Sequence, residues 1–174
     1  MLIEPRSRLT LVLGGARSGK SRHAEQLVLA SGLEPVYLAT AEALDAEMAA
    51  RIAAHRARRG PAWRTVEVPL DLVGALTVEC AAGRAVLVDC LTLWLTNLIV
   101  QERPVDAEIE RLLEVLPRLP GALVLVSNEV GQGVVPVAAM ARAFVDHAGF
   151  LHQRLAERAD TVVLMTAGLP QRLK

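Results

Sequence analysis

Leu9-Thr10-Leu11-Val12-Leu13-Gly14-Gly15-Ala16-Arg17-Ser18-Gly19-Lys20-Ser21 is the stretch from which the fold of this chain is read. Leu9–Leu13 is a short apolar run rich in strand formers, and it stops at two glycines. From Ser18 to Ala30 the apolar residues Ala24, Leu27 and Val28 recur at helical spacing. Between them, Gly14 to Ser21 satisfies the pattern G-x-x-x-x-G-K-[ST] in full, with a strand before it and a helix after it. The physical content of that pattern is direct. Glycines let the backbone wrap closely, so that successive N–H groups of Gly14, Gly15, Ala16, Arg17, Ser18 and Gly19 point at phosphate oxygens. The helix amino end adds a favourable potential for anions. Lys20 is placed to reach the β- and γ-phosphates, and the Ser21 hydroxyl to bind Mg²⁺.

Outward from this point the same alternation continues. Val36–Ala39, Thr65–Val68, Ala85–Val88, Ala122–Val126 and Thr161–Met165 read as strands. Asp45–Arg58, Asp71–Cys80, Leu91–Val100, Asp106–Leu116 and Val137–Ala159 read as helices, the last with a break expected near Gly149. Apolar strands alternating with helices predict an α/β fold of the P-loop NTPase type, a mainly parallel sheet with helices on both faces. With 174 residues and no repeat or low-complexity stretch, the chain reads as one domain spanning 1–174. Ligands of such sheets lie at the carboxyl ends of the strands. Polar residues gather at those ends: Gly14–Ser21, Thr40, Asp89 and Asn128-Glu129.

Composition narrows the function. Hydrophobic residues make up 52% and charged residues 22%, which excludes a disordered solvating chain. Lys+Arg and Asp+Glu are both 19, so the formal net charge is zero and a broad basic face for nucleic acid is not expected. Aromatic residues at 3% supply few stacking platforms for single strands. Residues 1–8 carry Glu4, Arg6 and Arg8, and predict no leader peptide. Apolar runs are strand-sized, far short of the roughly 20 residues a spanning helix requires. The two cysteines, Cys80 and Cys90, read as buried thiols of a cytoplasmic protein, with a disulfide between them as the alternative.

Three residues outside the glycine-rich loop attract attention. Asp89 ends the strand Ala85–Val88, where a second acidic residue meets a nucleotide-bound metal, and it is equally suited to cap the following helix. Glu129 follows Ala122–Val126, placed either to orient an attacking hydroxyl or to make a hydrogen bond within its loop. His55 lies on the helix Asp45–Arg58, on one side with Met48 and Ile52, in a basic setting of Arg51, Arg56, Arg58 and Arg59. A neutral imidazole is a nucleophile and guanidiniums bind phosphates, yet residue type alone reads as a half-buried helix histidine. His23, His147 and His152 lack such a setting.

Several segments together resemble one family: GGARSGKSRHAE (14–25), YLAT (37–40), EMAARIAAHRARR (47–59) with WRTVE (63–67), VDCLTLWLTN (88–97), SNEVGQGVVP (127–136) and the tail from Gly149. They resemble the bifunctional adenosylcobinamide kinase/adenosylcobinamide-phosphate guanylyltransferases of cobalamin biosynthesis, over nearly the whole chain. The resemblance implies a fold related to recombinase cores, and trimers. It implies transfer of the γ-phosphoryl group of ATP or GTP to adenosylcobinamide, then of GMP from GTP to the resulting phosphate, through a GMP-histidine intermediate. The matching histidine is His55, in Arg51-Ile52-x-x-His55. Nucleotide contacts carry over to Gly14–Ser21, to Leu38, Ala39 and Thr40, to Arg56, Ala57, Arg58 and Arg59, to Glu67 and to Asp89, with Mg²⁺ at Ser21 and Asp89. Two departures stand out. Ala54 precedes His55 where some relatives have a second histidine, and His152 stands where asparagine is expected. A monofunctional small-molecule kinase would keep Lys20, Ser21 and Asp89 but give His55 no covalent role. A non-catalytic GTP-binding module would bind without turnover, and the N-K-x-D guanine-reading motif of switch GTPases is absent.

Overall fold

Strands buried on both faces must be apolar at every position, and the β-branched runs meet that condition. A computed structural model describes residues 8–43 and 45–174, without the side chains of Met48, Arg51 and Arg58. In chain order the elements are β1 (Leu9–Gly14), α1 (Lys20–Ala30), β2 (Glu34–Ala39), α2 (Ala46–Arg59), β3 (Arg64–Glu67), α3 (Leu72–Glu79), β4 (Arg84–Asp89), α4 (Leu91–Val100), α5 (Val105–Val115), a 3-10 turn at Leu116–Arg118, β5 (Ala122–Asn128), α6 (Ala139–Arg158), β6 (Thr161–Thr166) and β7 (Leu169–Arg172). The strands form one sheet in the order β3-β2-β4-β5-β1-β6-β7. All neighbours pair parallel except β6 and β7.

The period-2 alternation of side chains divides the core in two. Leu11, Leu13, Val36, Leu38, Val86, Val88, Leu123 and Leu125 face one side, packed against Leu72 and Leu76 of α3, Trp94 and Leu98 of α4, Leu112 of α5 and Leu151 of α6. Val12, Tyr37, Leu87, Val124 and Val126 face the other, against Ala24, Leu27 and Val28 of α1. Full burial of one such side chain contributes about 1.5–3 kcal/mol. Trp94 is completely buried and its indole N–H donates to the Leu70 carbonyl at 2.8 Å. Edge strand β3 is tied in by charge. Arg64 makes a bidentate pair with the buried Glu79 (3.0 and 2.9 Å), which also accepts from Arg84, and the Arg64 hydrogen bond holds the Glu79 carboxyl below its ordinary range.

Two expectations change. Helix α6 runs through Gly149 without a break. The chain also forms β7, which pairs antiparallel with β6 through a two-residue turn at Ala167 (φ +51°) and Gly168 (φ +81°). Positive φ at both central positions is the hairpin geometry that matches strand twist. Pro170 is admitted because β7 is an edge strand. Cys80 and Cys90 are both free and buried, so the disulfide alternative is discarded.

His152 is buried on α6, its Nε2 at 2.7 Å from the Ser127 hydroxyl. Burial holds its pKa below the ordinary value, with the charge of Glu129 acting the other way. On acidification the unfolded chain therefore binds this proton before the folded one. Stability is expected to fall as the pH drops below about 6.5. His152→Asn, which keeps a group to bond Ser127, should flatten that slope. Urea unfolding of both proteins at about pH 7.5 and about pH 5.5 checks this.

Candidate nucleotide site

The glycine-rich loop starts where β1 is clamped between two strands, with Gly14 opposite Asn128 of β5 and Met165 of β6. A Cβ at Gly14 would lie 2.5 Å from the Ser18 hydroxyl and 2.8 Å from the Met165 carbonyl, so no other residue fits without displacement. Gly19 caps α1 in the left-handed region (φ +92°), and no side chain caps that helix. The first-turn N–H groups of α1 thus face the loop, as an anion site requires. Lys20 is buried beside them, its Nζ donating to the Gly15 carbonyl at 3.0 Å. Burial lowers its pKa, while Cys90 and Asp89 push it up. The Ser18 hydroxyl is buried without a hydrogen-bond partner. The β6–β7 turn supports the loop from outside, Gly168 N–H donating to the Ser18 carbonyl at 3.0 Å.

Next to it the strand ends form a row. Ala39 of β2 pairs with Asp89 of β4 on one side and Glu67 of β3 on the other. The Tyr37 hydroxyl donates to Asp89 Oδ2 at 3.0 Å. The Arg59 guanidinium, at the end of α2, lies 3.5 Å from the centroid of the Tyr37 ring. Trp63 meets that ring edge-on, with centroids 6.0 Å apart and planes at 84°. Beneath the row is a closed polar network. Thr40 Oγ1 donates to the Cys90 carbonyl at 2.7 Å and accepts from the Cys90 N–H at 2.8 Å. Asn97 Nδ2 donates to the carbonyls of Thr40 and Pro69, and Asn128 Nδ2 donates to Thr92 Oγ1 at 2.8 Å. Burial pushes the Cys90 thiol up to about 11, so it is an uncharged member of this network.

The structure gathers most of the residues picked from sequence, and sorts them. Gly14–Ser21, Ala39, Glu67 and Asp89 stand at neighbouring strand ends. Asp89 does not cap α4: the cap position is Cys90, with no side-chain bond, and the Asp89 carboxylate is taken by Tyr37. Leu38 and Thr40 are fully buried, the Thr40 hydroxyl spent on Cys90 and its carbonyl on Asn97, so these two residues support the site from beneath. Arg56 pairs with Glu67, both exposed, linking α2 to β3. Ala57 is exposed, and the Arg58 side chain lies outside the described residues. His55 is half-buried on α2, one turn before Arg59. Glu129 accepts from the Gly131 N–H at 2.7 Å, and its own N–H donates to the Gly14 carbonyl at 3.0 Å, which is the loop-stabilising alternative. Sequence reasoning missed Tyr37 as a site element; its signals were its place two residues before a strand end and at the head of the segment YLAT.

Hydroxyl and carboxylate oxygens of Ser21 and Asp89, beside a phosphate cradle, suit a hard cation that keeps much of its shell on water and phosphate, as Mg²⁺ does. Among the described residues no group of three or more His, Cys, Asp or Glu could hold a metal without such a phosphate.

Comparisons with known proteins point to one family and one fold. Residues 10–173 match the model of the family described as cobinamide kinase / cobinamide phosphate guanyltransferase. A relative from Pseudomonas aeruginosa, named bifunctional adenosylcobalamin biosynthesis protein CobP, is 58% identical over 94% of this chain and 96% of its own length. Another from Salmonella typhimurium, named bifunctional adenosylcobalamin biosynthesis protein CobU, is 42% identical over 95% of this chain and 99% of its own. Among solved structures, an ATPase of a bacterial type III secretion system superposes with TM-score 0.55 at 11% identity, covering 91% of this chain and 51% of that one. The P4 protein of bacteriophage phi6, in complex with ADP, gives 0.52 at 14%, covering 95% and 54%. These likenesses establish the P-loop NTPase fold.

Gly14→Ala tests the cradle. It is expected to weaken nucleotide binding by about tenfold or more, about 1.4 kcal/mol, in a titration with a fluorescent GTP analogue. An unchanged affinity would mean that the loop does not close on phosphate there.

Proposed function

This chain belongs to the cobinamide kinase / cobinamide phosphate guanyltransferase family, and we propose that it carries out both reactions of that name in adenosylcobalamin biosynthesis. In the first, the aminopropanol hydroxyl oxygen of adenosylcobinamide bonds to the γ-phosphorus of ATP or GTP. The bond to the β-phosphate oxygen breaks and the hydroxyl proton is lost. In the second, an imidazole nitrogen of His55 bonds to the α-phosphorus of GTP and pyrophosphate leaves. A phosphate oxygen of adenosylcobinamide phosphate then displaces the histidine, giving adenosylcobinamide-GDP. Splitting one displacement at the α-phosphorus into two replaces one difficult step with two easier ones.

One observation carries this reading. Asp89, whose charge acts on Lys20 of the phosphate loop, and Arg59 at the end of the helix bearing His55 both meet Tyr37, near the carboxyl ends of β4 and β2. Lys20 and the loop N–H groups hold the phosphates. Arg56, Ala57, Arg58 and Arg59, with Glu67, border the nucleotide beside Leu38, Ala39 and Thr40. Ser21 and Asp89 would hold Mg²⁺, whose charge neutralises that accumulating on the phosphates. Phosphoryl transfer asks little covalent chemistry of a protein and much positioning, which fixed strand ends supply. The chain acts as one domain in the cytoplasm, as a homo-oligomer, by resemblance a trimer, and without nucleic acid. Among the described residues no helix is long and apolar enough to cross a membrane.

Incubation with Mg²⁺ and GTP labelled at the α-phosphate is expected to leave acid-labile, base-stable label on the wild-type protein. His55→Ala should carry none and keep much of the kinase activity. Equal loss of both activities in a folded His55→Ala protein would make His55 structural or shared by both reactions, and an unlabelled wild type would leave a monofunctional kinase or a GTP-binding module. Lys20→Ala should depress both reactions by about tenfold or more, measured with ATP and with GTP as donor.

A further inference from the structure

Tyr37 is a buried side chain with more partners than packing requires. It stands on β2, inside the core cluster that faces α1, with Trp63 fixing its plane from the edge. A buried phenol needs an acceptor, and any main-chain carbonyl would serve. Here the acceptor is Asp89 Oδ2, at 3.0 Å. A carboxylate has a second oxygen, so this bond orients the group while leaving it able to meet a cation. The face of the same ring is occupied by Arg59 at 3.5 Å. The Arg59 Nε is buried with no hydrogen-bond partner, and the ring face is a direct contact of this guanidinium. Arg59 is the last residue of α2 and follows His55 by four, which puts both on one face of the helix. A single aromatic side chain therefore touches the carboxylate at the phosphate loop through its hydroxyl, and the histidine helix through its face.

We propose that Tyr37 is a positioning residue for the guanylylation of His55: its hydroxyl sets the Asp89 carboxylate, and its ring face seats Arg59, and with it α2, against the nucleotide site. This rests on the two-step reading above. The two halves of the side chain are separable. Tyr37→Phe removes the donor and keeps the platform; Tyr37→Leu removes both; Arg59→Gln removes the guanidinium from outside the core.

The test follows label from α-labelled GTP onto the full-length protein as Mn²⁺, replacing Mg²⁺, is raised. It also measures Mn²⁺ affinity in the presence of GDP by electron paramagnetic resonance, which needs no turnover. Loss of a group that orients a metal-holding carboxylate typically costs about 10–100-fold in metal affinity. Tyr37→Phe is thus expected to bind Mn²⁺ about tenfold more weakly and to need correspondingly more of it for half-maximal labelling, with excess Mn²⁺ restoring the rate. Tyr37→Leu should show the same shift, plus a maximal labelling rate lower by about tenfold that Mn²⁺ does not restore. Arg59→Gln should lower that maximal rate likewise, and it decides the platform half if Tyr37→Leu does not fold. A merely structural tyrosine would lower the thermal midpoint without moving the Mn²⁺ dependence. A wild-type Mn²⁺ affinity in Tyr37→Phe overturns the proposal, as does a maximal rate in Arg59→Gln equal to that of the wild type. An unlabelled wild type overturns the two-step reading instead, and the proposal with it.

Discussion

Everything at the site depends on the parallel register of six strand ends. Gly14 is opposite Asn128 and Met165, and Asp89 is opposite Ala39, which is opposite Glu67. In a sheet buried on both faces a slip of one residue would turn every side chain to the wrong layer, so register is strongly specified. That specification is made by the apolar core, far from any chemistry. Its consequence is that a loop, a carboxylate and an aromatic ring arrive at fixed separations without being tied to one another locally. Preorganisation is bought by the core.

The polar residues under the site secure what the ladders leave loose. Thr40, Cys90, Thr92, Asn97 and Asn128 bond one another or nearby carbonyls at the points where β2, β4 and β5 give way to loops. In a low-dielectric interior such a network is valuable only when its members are satisfied. The Ser18 hydroxyl stands apart from it, buried in the phosphate loop without a partner. The backbone there is also supported from an unforeseen side, by the β6–β7 turn at Gly168.

Much of this was legible in the residues. The strand and helix runs fell within a few positions of their observed bounds, because burial on both faces leaves an unmistakable apolar run and α1 an amphipathic one. The phosphate loop was legible because part of its constraint is local: a glycine where a Cβ would strike Ser18, and another in the left-handed region. The strand β7 was not, since Leu169-Pro170-Gln171-Arg172 is exposed and carries no pattern of burial. His152 read as an odd substitution in a motif, and it is a core histidine bonded to Ser127. Asp89 read as metal ligand and helix cap at once. The second role fails because the hydroxyl that engages it comes from a strand 52 residues away in sequence.

The sequence by itself determined the fold class, the phosphate cradle, the family and the identity of the single histidine on its basic helix, because each is written in short-range spacing and residue type. Only the tertiary structure decided how these parts meet. Tyr37, Asp89 and Arg59 belong to β2, β4 and α2, and nothing within any one of these segments signals the other two. Their contact follows from strand order: β2 lies beside β4, and α2 ends where β2's ring is exposed to it. Strand order is set by how the layers bury their apolar faces together, a property of the whole chain and of no motif within it.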